Sequence, residues 1–231
     1  MFYKKIIYVW VLFSCALAYS QSVSEVFQKL GKQYSIPKPL QYKSSYALYK
    51  DFDSKKIEES YNGIFYKNEF NEVYMKIGDS EILNLKKAYL KINHSEKAIQ
   101  ILNPMDNYLG DFDMKPLFDL CTIEKFLDYK TYWEITMVAK SYSSLPYSKI
   151  VVQITKNYFL QKQIFYYNTA VNFSKDYRSP DSHYPRLEVT NMNYNRNPVK
   201  ASIFNSSTYF TISGKKQIIL SERLKKYEII D

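Results

Sequence analysis

From Ser60 to Ile92 the chain reads SYNGIFYKNEFNEVYMKIGDSEILNLKKAYLKI. Aromatic and aliphatic side chains recur at nearly every second position, and short polar links interrupt them. In an extended strand successive side chains point to opposite faces, so this period lets one face meet a core while the other meets water. It predicts strands over 42–50, 56–67, 72–77, 81–85, 88–93 and 97–102, with turns at 68–71, 78–79 and 93–96. Links this short join antiparallel neighbours, because a parallel crossover needs a dozen or more residues. The segment therefore reads as a meander.

The flanking sequence has other textures. Ser22-Val23-Ser24-Glu25 has capping-box spacing, and Val23, Val26, Phe27, Leu30 and Tyr34 follow at helical intervals until Pro37 and Pro39 stop the helix. After Asn103-Pro104, Pro116 fits the first turn of a second helix over 116–129, one side lined by Leu117, Leu120, Cys121 and Leu127. Strands resume over 131–141, 149–156, 160–168 and 186–194, with weaker candidates at 208–212 and 217–220. The predicted class is mainly β with two helices. The 24 Tyr and 14 Phe beside 5 Gly suit pleated, half-buried surfaces, and 46% hydrophobic with 24% charged residues excludes a disordered or polytopic chain.

Residues 1–20 read as a secretory signal: Lys4 and Lys5, an apolar run from Ile6 to Phe13, then small residues at Ala16, Ala18 and Ser20. Residues 21–231 then form one domain with a C-terminal extension, exported to the periplasm or beyond. Leu12-Phe13-Ser14-Cys15 also has the outline of a lipobox, which would leave Cys15 as a lipidated anchor. Bulky Phe13 and the following Ala-Leu-Ala favour ordinary cleavage. Cys121 is then the only remaining cysteine, so no internal disulfide is expected. Lys4 and Lys5 are two of 32 basic residues; the remaining 30 against 23 acidic ones leave +7. That charge admits peripheral contact with anionic lipid or an acidic partner, but the basic residues are scattered, apart from small clusters at Lys86-Lys87, Lys215-Lys216 and Arg223 to Lys226.

Little in the chain suits catalysis. His94 and His183 are the only histidines, and no HExxH, CxxC, phosphate loop or G-x-S-x-G occurs. Asp51-Phe52-Asp53 and Asp111-Phe112-Asp113 could share a cation, yet Asp also simply forms turns and caps. Neither metal, cofactor, enzymatic activity nor nucleic acid is expected.

The order of helix, strands, a strand ending in Asn103-Pro104, helix and further strands resembles the LolA/LolB-like lipoprotein carriers. So does SKIVVQITKNYFLQKQIFYYN followed by RLEVTNMNYN. The resemblance implies an incompletely closed β-barrel around an apolar cavity, with helices as a lid. It also implies a monomeric carrier of lipid or lipoprotein acyl chains. The family's cavity arginine has no matching context at Arg178, Arg186, Arg196 or Arg223. Alternation assigns the expected cavity face to Tyr46, Leu48, Tyr61, Phe65, Met75, Ile77, Leu90, Ile92, Trp133, Ile135, Met137, Val152, Ile154, Ile164 and Tyr166. Phe27, Leu30, Leu117 and Leu120 are the expected lid contacts. An ordinary filled core would use the same residues, leaving an envelope protein-interaction module as the alternative.

Overall fold

The computed structural model describes residues 22–106, 115–176, 178–214 and 217–230. The expected signal segment with Cys15 and the Asp111-Phe112-Asp113 repeat lie outside the described residues. Helix α1 (Val23–Ser35) begins as its sequence dictates: Glu25 N donates to Ser22 Oγ, and Ser22 N to Glu25 Oε2, each at 3.2 Å. Its apolar stripe of Val26, Phe27, Leu30 and Tyr34 is buried. No helix among the described residues is long and apolar enough to cross a membrane.

The strands before the second helix are β1 (Leu40–Tyr49), β2 (Ile57–Lys67), β3 (Val73–Ile77), β4 (Ser80–Asn84), β5 (Tyr89–Asn93) and β6 (Ala98–Leu102). After α2 (Lys115–Leu120) come β7 (Cys121–Asp128), β8 (Tyr132–Ala139), β9 (Tyr147–Thr155) and β10 (Leu160–Tyr167). Then follow β11 (Val171–Asn172), β12 (Ser182–His183), β13 (Arg186–Asn195), β14 (Phe210–Ile212), β15 (Ile218–Leu220) and β16 (Glu228–Ile230). Twelve of them form one sheet in the order β16-β6-β5-β4-β3-β2-β1-β13-β10-β9-β8-β7. All its neighbours are antiparallel except β16, which adds to β6 in parallel. Strands β16 and β7 end this order without pairing to each other, so the sheet is open.

The second helix departs from expectation. It stops at Leu120, and Cys121–Asp128 is strand β7, paired along its length with β8. The helical spacing of Leu120, Cys121 and Leu127 is overridden by a ladder that the β-branched Thr122 and Ile123 also favour.

The sheet is curled. One contiguous apolar cluster joins α1 to side chains of β1, β2, β3, β8 and β9. Strands β3 and β8 are six steps apart in the sheet, about 29 Å if it were flat, against a helix diameter of about 10–12 Å. The sheet must therefore wrap around the helix, giving a half-barrel with α1 in its trough. A second cluster lies on the outer face of β3–β6. There the C-terminal extension presses Phe204, Tyr209, Phe210 and Leu224 against Tyr74, Leu83, Leu90, Ile92 and Ile99. Glu81, which accepts from Arg223 at 2.7 Å and stands 2.8 Å from His94 Nε2, pins this extension, together with the 2.7 Å contact of His94 Nδ1 and Tyr227 Oη.

Candidate functional site: the trough

Direct partners across a strand ladder share a face, so the registers fix which side chains line the trough. Phe65 stands between Tyr42 and Met75, and Tyr61 pairs with Tyr46, which pairs in turn with Val189. Leu48 pairs with Leu187, Leu187 with Phe165 and Phe165 with Ile150. Trp133, Ile135 and Met137 stand beside Ile154, Val152 and Ile150. Tyr46, Leu48, Tyr61, Phe65, Met75, Ile77, Trp133, Ile135, Met137, Val152 and Ile154 thus share the trough face.

Four expected cavity residues lie on the opposite face. Leu90 pairs with Leu83, and Leu83 with Tyr74, so Leu90 and Ile92 belong to the outer cluster beneath the C-terminal extension. Ile164 and Tyr166 are turned outward by a β-bulge: Leu160 pairs with Ile154, but Lys162 already pairs with Gln153. Phe165 takes the inward position instead, and the alternation alone did not disclose it. Val189 and Leu187 also stand on the trough face, outside the expected set.

The trough has two unlike halves. Beneath α1, Phe65, Trp133, Ile135, Met137, Val152 and Ile154 are buried in the helix-centred core. Phe27 and Leu30 meet them from α1, Phe27 also meets Phe118 of α2 edge-on at 5.5 Å, and Leu117 joins the same cluster. Leu120 of α2 is half-buried outside it. Beyond the helix, Tyr46, Leu48 and Ile77 are only half-buried, and Tyr61 is 48% exposed. The same face continues across β4–β6 into a depression of about 290 Å³ lined in part by Ile82, Lys91, Gln100 and Ile230.

An aromatic seam closes the helix-covered half at the end where α1 stops. Tyr42 stacks on Phe65 with centroids 4.6 Å apart, and Tyr194 lies 4.7 Å from Tyr42 and 4.6 Å from Phe159. Tyr34 Oη lies 2.8 Å from Tyr194 Oη, and Tyr194 Oη donates to Leu160 O at 2.7 Å. Arg196 rests 5.7 Å from the centre of the Phe159 ring and donates to Gln33 O and Pro39 O, outside the open half.

The open half depends on a missing side chain. Gly63 lies beneath Tyr46, and a Cβ there would meet Ser44 Oγ at 2.6 Å, the Tyr46 ring at 3.0 Å and Lys76 O at 3.1 Å. Gly63→Ala is expected to cost about 1–3 kcal/mol by overpacking and to lift the Tyr46 ring from the floor. A lower unfolding midpoint and shifted Tyr46 ring resonances would report both; unchanged values would contradict this packing.

The titratable groups are occupied elsewhere. His183 lies between Asp51 Oδ1 at 2.7 Å and Asp181 Oδ1 at 2.8 Å, and those carboxylates raise its pKa above the ordinary 6.5. Lys50 pairs with Asp181 and, ahead of His183, holds its carboxyl below the ordinary 3.8. These contacts tie the loop after β1 to β12. Cys121 is buried, and burial pushes its thiol above 9.0, away from the reactive thiolate. Among the described residues no group of three or more His, Cys, Asp or Glu side chains is placed to hold a metal ion.

Neither protein-family models nor curated proteins give a match to the sequence. Solved structures do. An uncharacterized conserved protein from Thermus thermophilus is similar over 80% of this chain and 93% of its own, at 10% identity and a TM-score of 0.48. A LolA superfamily protein from Nitrosomonas europaea is similar over 80% and 98%, at 10% identity and a TM-score of 0.35. LprF from Mycobacterium bovis is similar over 78% and 97%, at 12% identity and a TM-score of 0.33.

Proposed function

We propose that the protein is an exported, non-catalytic carrier that holds a lipid, or the acyl chain of a lipoprotein, in the open half of its trough. The observation that carries this reading is the division of one mainly apolar face, on which Glu59 beside Leu48 and Gln163 beside Val189 are polar members of the open half. The upper part of the face is filled by α1, while Tyr46, Leu48, Tyr61 and Ile77 remain partly exposed below. Each methylene moved from water onto such a surface gains up to about 0.8 kcal/mol, so a long chain needs no charged anchor to be held. Aromatic floors suit this task because rings offer broad apolar contact with few rotatable bonds to freeze.

Native mass spectrometry of the protein purified from its own cells tests the reading. A bound species with the mass of a lipid or acylated peptide, released by organic solvent, is the expected result. A protein that is always empty and takes up no fatty-acyl probe would contradict it.

Strand β7 favours a second reading, that of an envelope interaction module. It ends the sheet order and exposes Ile123 and Leu127 by 40% each. A sheet edge of this kind can accept a strand from another protein. Cross-linking in cells through residue 123, with an empty trough in the same preparation, would favour that reading over carriage.

A further inference from the structure

We infer that the end of the sheet bearing the β2–β3 turn is a docking surface for an anionic phospholipid bilayer. Phe70 stands at the tip of this turn with 77% of its surface exposed, the most exposed large apolar side chain among the described residues. The turn is braced, so the ring is held out rather than free to fold back. Asn68 Oδ1 accepts from Phe70 N at 3.0 Å and Glu72 N at 2.9 Å, and Asn68 Nδ2 donates to Glu72 Oε2 at 2.7 Å. Asn71 takes φ 61°, and its Oδ1 receives Lys67 Nζ at 2.9 Å.

Two neighbouring segments are tied to this tip. Glu72 Oε1 accepts from Lys86 N at 2.8 Å, which brings up the β4–β5 turn with exposed Lys86 and Lys87. Asn84 exchanges two 2.9 Å hydrogen bonds with the backbone of Met105, whose side chain is 49% exposed. Two apolar tips therefore accompany a lysine pair on one rim. Exposed Glu69 and Asp106 equal Lys86 and Lys87 in charge on this rim, so the apolar tips carry the attraction, and the net +7 of residues 21–231 supplies the long-range preference for an anionic surface. Rings that enter the headgroup boundary beside cations that meet anionic headgroups are the physical means by which proteins rest on bilayers. A protein partner would call for a broader continuous apolar patch than these separated tips provide.

The test uses residues 21–231 and vesicles of phosphatidylglycerol and phosphatidylethanolamine, with pure phosphatidylcholine for comparison. With Phe70→Trp, the tryptophan emission should shift to the blue on adding the anionic vesicles, and Trp133, 5% exposed, supplies a constant background. The wild-type chain should float with those vesicles. Phe70→Ser should weaken this binding roughly tenfold or more. Replacing Lys86 or Lys87 by serine should weaken it roughly fivefold at low salt. These exposed positions should leave the unfolding midpoint unchanged. No blue shift, flotation indifferent to Phe70→Ser, or a photo-cross-linker at residue 70 that captures protein rather than lipid would overturn the inference. Docking is measured without cargo, so its failure leaves the trough reading standing.

Discussion

Titrated upward through pH 10, the protein is expected to lose its fold in one cooperative step. Tyr34 and Tyr209 are 0% and 1% exposed, and burial pushes each phenol from its ordinary 10.0 to about 12. Burial also raises Tyr74 and Tyr194. The unfolded chain releases these protons near pH 10 while the folded chain keeps them, so stability falls as pH rises above 10. The contribution is complete below pH 10 and is lost as pH climbs through the raised values. Each group removes about 1.4 kcal/mol per pH unit in this range. Tyr34, Tyr74, Tyr194 and Tyr209 together remove about 5–6 kcal/mol per pH unit, against a total stability of about 5–15 kcal/mol for an ordinary domain. Tyrosinate absorbance and β-sheet circular dichroism should change together between about pH 10 and 12. Gradual ionisation with the sheet intact throughout would contradict the burial of these rings.

Lys67 carries the second large effect. It is 0% exposed, yet no carboxylate faces its ammonium among the described residues. Nζ instead donates to Tyr34 O at 2.8 Å, to Ile36 O and to Asn71 Oδ1 at 2.9 Å, closing the carbonyl end of α1 and bracing the β2–β3 turn. Burial, with the nearby charge of Arg196, lowers its pKa from 10.5 to about 8. Lys67→Met keeps the apolar stem but strands two helix-end carbonyls, at an expected cost of about 2–3 kcal/mol after the gain from not burying a charge. Because the folded value lies below the unfolded one, the unfolded chain holds more protons between about pH 8 and 10.5. The Lys67 contribution to stability therefore rises over that window, and the methionine variant should lack this rise. Urea unfolding at several pH values would show both effects, and faster amide exchange along α1 would show that its end has been released. A variant as stable as the wild type, with the same pH slope, would contradict the clamp.

These two groups show where the sequence speaks and where it falls silent. The capping box at Ser22 and the stripe through Tyr34 are local, so α1 was legible almost to the residue. The positions of β1–β6, β8–β10 and β13 were equally legible, since alternation and the short links are local too, whereas β7 carries a helical spacing and reads as helix. Which face a strand turns inward is not local. The two-residue Gly78–Asp79 link pairs Ile77 with Ser80, and counting onward through that ladder sets Leu90 opposite to Met75. That step was open to sequence reasoning. The bulge between Leu160 and Lys162 was not, because nothing in LQKQIFYY marks the slipped pair that turns Ile164 outward and Phe165 inward. The C-terminal extension hides for a further reason. It covers a sheet face that a half-barrel could leave to water, and only contacts far apart in sequence, such as Glu81 with Arg223, hold it there. Lys67 reads from sequence as one more solvated lysine at a strand end.

In a half-barrel carrier the hydrocarbon chain lies in the open half of the trough, and that claim is directly testable. A fatty acid with a photoreactive carbon near its tail, irradiated with the protein and mapped by peptide mass spectrometry, examines that claim. Adducts should fall on β1, β2 and β13 around Tyr46, Tyr61 and Leu187, and unlabelled fatty acid should compete them away. Labelling confined to the outer face around Leu90 and Ile164, or no competable labelling at all, would contradict it.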